Sequence, residues 1–178
     1  MELGSRTIGI IATLAAGAIL FFLLNQPVLI TAYVLLWIDK VAIGSLRILR
    51  RFGIELATIS TIAVSFFYGP VAAFAFGIIT IPLLHNVKFM FVSEDDDWPP
   101  FVPTPYGVID VIGGSLAFFL KDFGFFTAVV MILILKYILY AIADRMMHGR
   151  PVDILSPVMN MTLHIIVFIP MARSVFGV

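Results

Sequence analysis

A stretch of 32 residues, Gly53 to Leu84 (GIELATISTIAVSFFYGPVAAFAFGIITIPLL), carries Glu55 as its only formal charge. At ~1.5 Å per residue an unbroken helix of that length would run ~48 Å, against ~30 Å of bilayer hydrocarbon. Such a segment has to tilt steeply, break or turn round. Tyr68-Gly69-Pro70 lies at its middle, and proline both lacks an amide donor and disfavours helix in the residue before it. The stretch therefore reads as two short membrane helices, 53–68 and 70–86, joined by a tight turn at Gly69-Pro70.

The rest of the chain has the same character. Over 178 residues, 61% are hydrophobic and 12% charged, and the mean hydropathy is +1.10. That excludes a soluble domain of any size. The expected fold is all-α, a single integral membrane domain over 1–178 built as a polytopic transmembrane helical bundle. Spans are expected at about 8–24, 28–46, 53–68, 70–86, 107–121, 124–143 and 154–172, the fifth interrupted by Gly113-Gly114. A polar loop over 87–106 contains the acids Glu94 to Asp97 and four prolines. The first apolar run, Ile8 to Leu24, is long for a signal sequence, and no small-residue cleavage site follows it, so it reads as a retained span.

Counting the hairpin as two crossings gives seven spans; counting it as one gives six. Seven spans with the N-terminus inside leave only Lys121 and Arg173 among the flanking cations outside, in line with the positive-inside rule. Six would put Arg145 and Arg150 outside. In either case the expected location is the cell membrane.

The residue inventory excludes much else. The net charge is zero, and beyond Arg47, Arg50 and Arg51 there is no basic run, which disfavours nucleic-acid binding. With no cysteine, there are no disulfides, thiolate metal sites or cysteine nucleophiles. No nucleophile elbow, zinc-protease or phosphate-loop motif occurs, so no catalytic residue, metal or cofactor is expected.

The polar residues inside the spans are the candidate site. Lys136 falls in the middle of VVMILILKYILYAIAD, where a cation costs roughly 2.5–3.5 kcal/mol on insertion scales and needs an internal partner. Asp39, Glu55 and Asp110 are the available acids. Lys136 reads either as a ligand or ion contact, or as one half of a structural ion pair. Asp39 and Lys40 are adjacent, ~100° apart on a helix, and are expected to face different grooves. Glu55 also fits the simpler role of an acid at a helix N-terminus. Asn160 and His164 are four residues apart and share a helix face, which suits an interhelical hydrogen bond or a ligand contact. Met161 beside His164 suggests a soft metal site, but three or four ligands are not in view. The acids 94–97 read as a solvated run, Trp98 and Phe101 as interfacial anchors, and the three arginines as a topology and lipid-headgroup signal.

Several stretches are similar to one family. The turn SFFYGPVAAFAFG, the glycine-rich GVIDVIGGSLAFFL, the closing helix MNMTLHIIVFIPM and an Ala-xxx-Ala face (Ala12, Ala16) together resemble the S-components of energy-coupling-factor transporters. The resemblance implies a small membrane subunit that binds a solute within its helices and works with an ATPase-driven coupling module, with Ala12 and Ala16 contacting the partner subunit. Lys136, Asp110, Glu55, Asn160 and His164 are then the ligand-binding candidates. The expected function is thus a non-enzymatic, transport-type, solute-binding membrane protein, with lipids and partner subunits as neighbours. The alternative is a non-catalytic integral subunit of a larger membrane complex.

Overall fold

The computed structural model describes residues 3–44, 54–89, 99, 101–149 and 154–178. Among them every regular element is helical and no strand occurs. Seven helices follow one another: α1 (Leu3–Leu23), α2 (Pro27–Trp37), α3 (Ala57–Tyr68), α4 (Pro70–Phe89), α5 (Pro105–Leu116), α6 (Phe125–His148) and α7 (Leu155–Phe176). Helix α2 continues as a π-helix over Ile38–Ile43. Helix α5 runs on as a 3-10 helix, Ala117–Phe123, and α7 contains a π segment, His164–Phe168.

The breaks lie where backbone chemistry demands them. Gly69 has φ +89° and ψ 172°, a conformation open to glycine, and Pro70 follows as the first residue of α4. Asn25, at φ +53°, reverses the chain before Pro27 opens α2; asparagine tolerates the left-handed region better than most residues. Thr104 starts α5 by accepting the Gly107 N–H at 3.0 Å through its hydroxyl.

Helix α3 lies at the centre. Every residue from Leu56 to Phe66 is buried, and α2, α4, α5, α6 and α7 all pack on it. Its 12 residues run only ~18 Å, and its neighbours bury it along almost its whole length. Its own hydroxyls are satisfied locally: Ser60 donates to the Leu56 carbonyl and Thr61 to that of Ala57, both at 2.9 Å. Ser65 reaches across to the Ser115 carbonyl, 3.0 Å away. At the Gly69 end, Lys121 Nζ donates to the Phe66 carbonyl at 2.9 Å, and the Phe66 and Phe125 rings meet edge to face. On the flank, Tyr33 and Trp37 of α2 donate to the carbonyl and hydroxyl of Thr13 on α1.

Each expected span coincides with one helix, shifted by a few residues at its ends. As membrane crossings, fewer are supported than the six or seven expected: among the described residues three helices are long and apolar enough to cross a membrane, Pro70–Val87, Phe125–Met147 and Leu155–Phe176, while Ile11–Leu23 and Ala57–Tyr68 are shorter apolar helices. The fifth segment corrects an expectation. Gly113-Gly114 was expected to interrupt it, yet the helix runs straight through. The reason is packing, since a Cβ on Gly114 would lie 2.2 Å from Thr61 Oγ1 and 2.5 Å from Thr61 Cβ. Where hydrophobic driving force between helices is weak, such close backbone approach holds them together. Of the loop 87–106, the acids 94–97 and Trp98 lie outside the described residues, as do Arg47, Arg50 and Arg51.

Gly114→Ala should force α3 and α5 apart at Thr61. We expect a loss of about 1–3 kcal/mol, read as a lower midpoint of thermal unfolding in detergent.

Candidate functional site

The site lies at the end of the bundle opposite the Gly69 turn, where the short non-helical stretch 54–56 leads into α3. Leu56, at the N-cap position, offers no side-chain cap, so the first amides of α3 need outside acceptors. Asp39, from the π segment of α2, supplies one: its Oδ2 accepts the Ala57 N–H at 3.0 Å. The same oxygen lies 3.2 Å from Lys40 Nζ.

Lys136 is at the centre of the site. It is only 1% exposed, and its ammonium has three partners, which saturates its donors. Nζ contacts Glu55 Oε1, donates to Thr58 Oγ1 at 2.9 Å, and lies 2.9 Å from Asp110 Oδ1. Thr58 in turn donates to Glu55, and the Tyr140 hydroxyl donates to Asp110. The rings of Tyr140 and Tyr137 stand 5.1 and 5.6 Å from the ammonium, within cation–π range. Tyr106 meets Tyr140 edge to face at 5.0 Å and donates its hydroxyl to Asp144. One ammonium thus ties together the start of α3, the middle of α5 and the middle of α6.

A cavity of about 250 Å³ opens beside this cluster. Asp39, Lys40, Glu55, Asp110, Tyr106 and Tyr140 supply much of its polar wall, with His85 and Thr104 at the rim; Ile43, Ile54 and Ile81 make it apolar elsewhere. Lys136 is not in the wall. It holds the wall's carboxylates from behind.

The structure brings three of the five candidate residues, Lys136, Glu55 and Asp110, into one cluster. Asn160 and His164 are both buried but do not line the cavity. They sit where α7 changes from α to π geometry, with His164 Nδ1 2.9 Å from the Asn160 carbonyl. Neither the Asn160 amide nor His164 Nε2 makes a well-formed hydrogen bond, although the Tyr137 phenol lies within loose reach of Asn160. Such π turns often mark functional positions.

Asp39 and Lys40 correct an expectation. They were expected to face different grooves, yet both line the cavity. The π turn reduces the angle between successive residues, and the long lysine stem brings its ammonium back to Asp39. Tyr106, Tyr137, Tyr140 and Thr58 were missed in the sequence, though for the last two the signal was there. Tyr140 lies four residues after Lys136, and Thr58 three after Glu55, spacings that bring side chains to one face.

Compared with family models, curated proteins and solved structures, the chain matches none.

Replacing Lys136 by Met should leave Glu55 and Asp110 buried and unpaired. We expect a loss of about 3–5 kcal/mol in chemical unfolding from detergent micelles. Adding Glu55→Gln and Asp110→Asn to Lys136→Met should recover most of that loss, because the charges then vanish together.

Proposed function

We propose that the chain is a multi-pass protein of the cell membrane that binds a small solute in the cavity beside the Lys136 cluster. The carrying observation is the joining of a buried ion network to an open cavity. A purely structural ion pair needs to close on itself, whereas here Glu55 and Asp110 both pair with Lys136 and line the cavity, and Asp39, bonded to the Ala57 amide, lines it beside them. At about 250 Å³ the space is smaller than the ~300–1,000 Å³ of pockets for drug-sized ligands. A small solute suits it.

In this reading all seven helices cross the membrane, and the buried α3 is sheltered by its neighbours. Uptake would depend on a separate ATPase-driven module, as the resemblance to energy-coupling-factor S-components implies. Ala12 and Ala16, exposed on α1, provide the small-residue face for docking it. That same exposed face also favours a second reading, a non-catalytic subunit of a larger membrane complex.

Native mass spectrometry of the protein extracted gently from its membrane separates the two. The solute reading expects one small molecule retained per chain. It also expects Tyr140→Phe, which removes a hydroxyl bonded to Asp110, to weaken that retention about tenfold. Stoichiometric protein neighbours and no small molecule would sink it in favour of the second reading.

Topology is tested separately in the cysteine-free background. With seven crossings, single cysteines replacing Asn25, Asp122 and Ser174 should label from one face of sealed vesicles, and one replacing Val102 from the other. Labelling of Asn25 and Asp122 from opposite faces would rule out seven crossings.

A further inference from the structure

The charge balance at the cavity names a solute class, an inference that rests on the solute-binding reading. Among the described residues, the cavity wall carries three carboxylates, Asp39, Glu55 and Asp110, and one ammonium, Lys40. Lys136 adds a second ammonium from behind. The other titratable groups nearby are His85 of α4, Tyr106 of α5 and Tyr140 of α6 in the wall, and Asp144 of α6, which lies outside the wall and accepts from the Tyr106 hydroxyl. Tyr137 lies beside Lys136, and His164 of α7 is close enough to feel both Lys136 and Glu55. Tyrosines and neutral histidines add no charge near pH 7. Among the described residues of the wall and Lys136 behind it, three carboxylates against two ammoniums leave one negative charge in excess, in surroundings that solvate charge poorly.

What neutralises that excess is either a proton or a cation from outside. The local chemistry already accommodates an ammonium. Lys136 rests among two carboxylates, a hydroxyl and two aromatic rings. The cavity wall repeats those ingredients with Asp39, Glu55 and Asp110 beside Tyr106 and Tyr140. Among the described residues no three His, Cys, Asp or Glu side chains are arranged to hold a metal ion. The isoleucines of the wall suit a carbon skeleton instead.

We propose that the cavity takes a small organic cation and releases one proton in exchange. With the cavity empty, the proton resides on a wall carboxylate or on His85. When an ammonium enters, that proton leaves to solvent and the ammonium pairs with the carboxylate left behind. One positive charge enters and one departs, no covalent bond other than the one to that proton changes, and the buried cluster stays electrically balanced in both states.

The test uses the intact protein in lipid nanodiscs and three probes of one size: benzylamine, benzyl alcohol and benzoate. Titration calorimetry in phosphate and in HEPES at one pH, neither of them a net organic cation, reads proton release from the difference in heats. Benzylamine is expected to bind with release of about one proton, and to tighten about tenfold per pH unit while the site still holds its proton. The alcohol and the benzoate are expected to bind at least about tenfold more weakly, since neither can replace the departing proton's charge.

Benzylamine binding without proton release, or with an affinity independent of pH, overturns the exchange. Benzoate or benzyl alcohol binding as tightly as the amine overturns the cation class while leaving solute binding in place. Failure of all three probes to bind also overturns the proposal, and the solute reading then stands or falls on the retained mass in native mass spectrometry.

Discussion

A buried ammonium that cannot reach water governs the architecture. Lys136 sits at the middle of α6, the most apolar of the three long helices, where snorkelling would need its stem to reach an interface about two helical turns away. It is instead paired within the bundle by Glu55, Thr58 and Asp110. Those partners come from the lead-in to α3 and from α5, so their positions along and around α6 are fixed together. A rotation of α6 by one residue would carry the ammonium ~100° away from both acids and strand three charges. Apolar packing alone tolerates such slips far better, because one leucine surface resembles another.

The two ends of the bundle therefore differ in kind. Around Gly69 the contacts are aromatic and aliphatic, with Lys121 closing over the last carbonyls of α3. Around residues 54–58 the backbone leaves helical geometry and its amides turn to Asp39 for an acceptor. Irregular backbone at membrane depth survives only where protein or a water-filled cavity receives it. Here Asp39 accepts the first amide of α3 and the cavity opens beside the same stretch, at the start of the buried α3 rather than at the hairpin turn.

Much of this was legible in the sequence. Apolar runs bounded by Asn25-Gln26-Pro27, Gly69-Pro70 and Gly124 mark the helices, because in lipid the backbone has almost no other way to satisfy itself. The partners of Lys136 were legible for a similar reason, since few acids lie within spans and a buried cation must find one. The departures came from features without a composition signal. Gly113-Gly114 looks like a break, but it serves as a flat face for Thr61. Tyr140 looks like a membrane-interface aromatic, but it points its hydroxyl at Asp110. Nothing in IDKVAI or HIIVF distinguishes a π turn from an α turn, so the groove shared by Asp39 and Lys40 could not be read from helical angles.

Those π turns bear on how the site is held. A π-helix bonds each amide five residues back rather than four, and it is rare outside functional positions. In α2 it carries Asp39 and Lys40; in α7 it begins at His164, directly after the turn that holds Asn160. Both helices would lose little by relaxing to α geometry if apolar packing were all they served. In α2 the tertiary bond that comes with the π turn is visible, the contact between Asp39 and the Ala57 amide. In α7 the buried Asn160 and His164 have no equivalent tertiary contact of good geometry, so packing around Phe168 and Ile169 is what holds the turn. The two sides of the ion cluster thus differ in kind: on the α2 side the π turn presents Asp39 to a backbone amide of α3, and on the α7 side it stacks the His164 ring edge to face on Phe168.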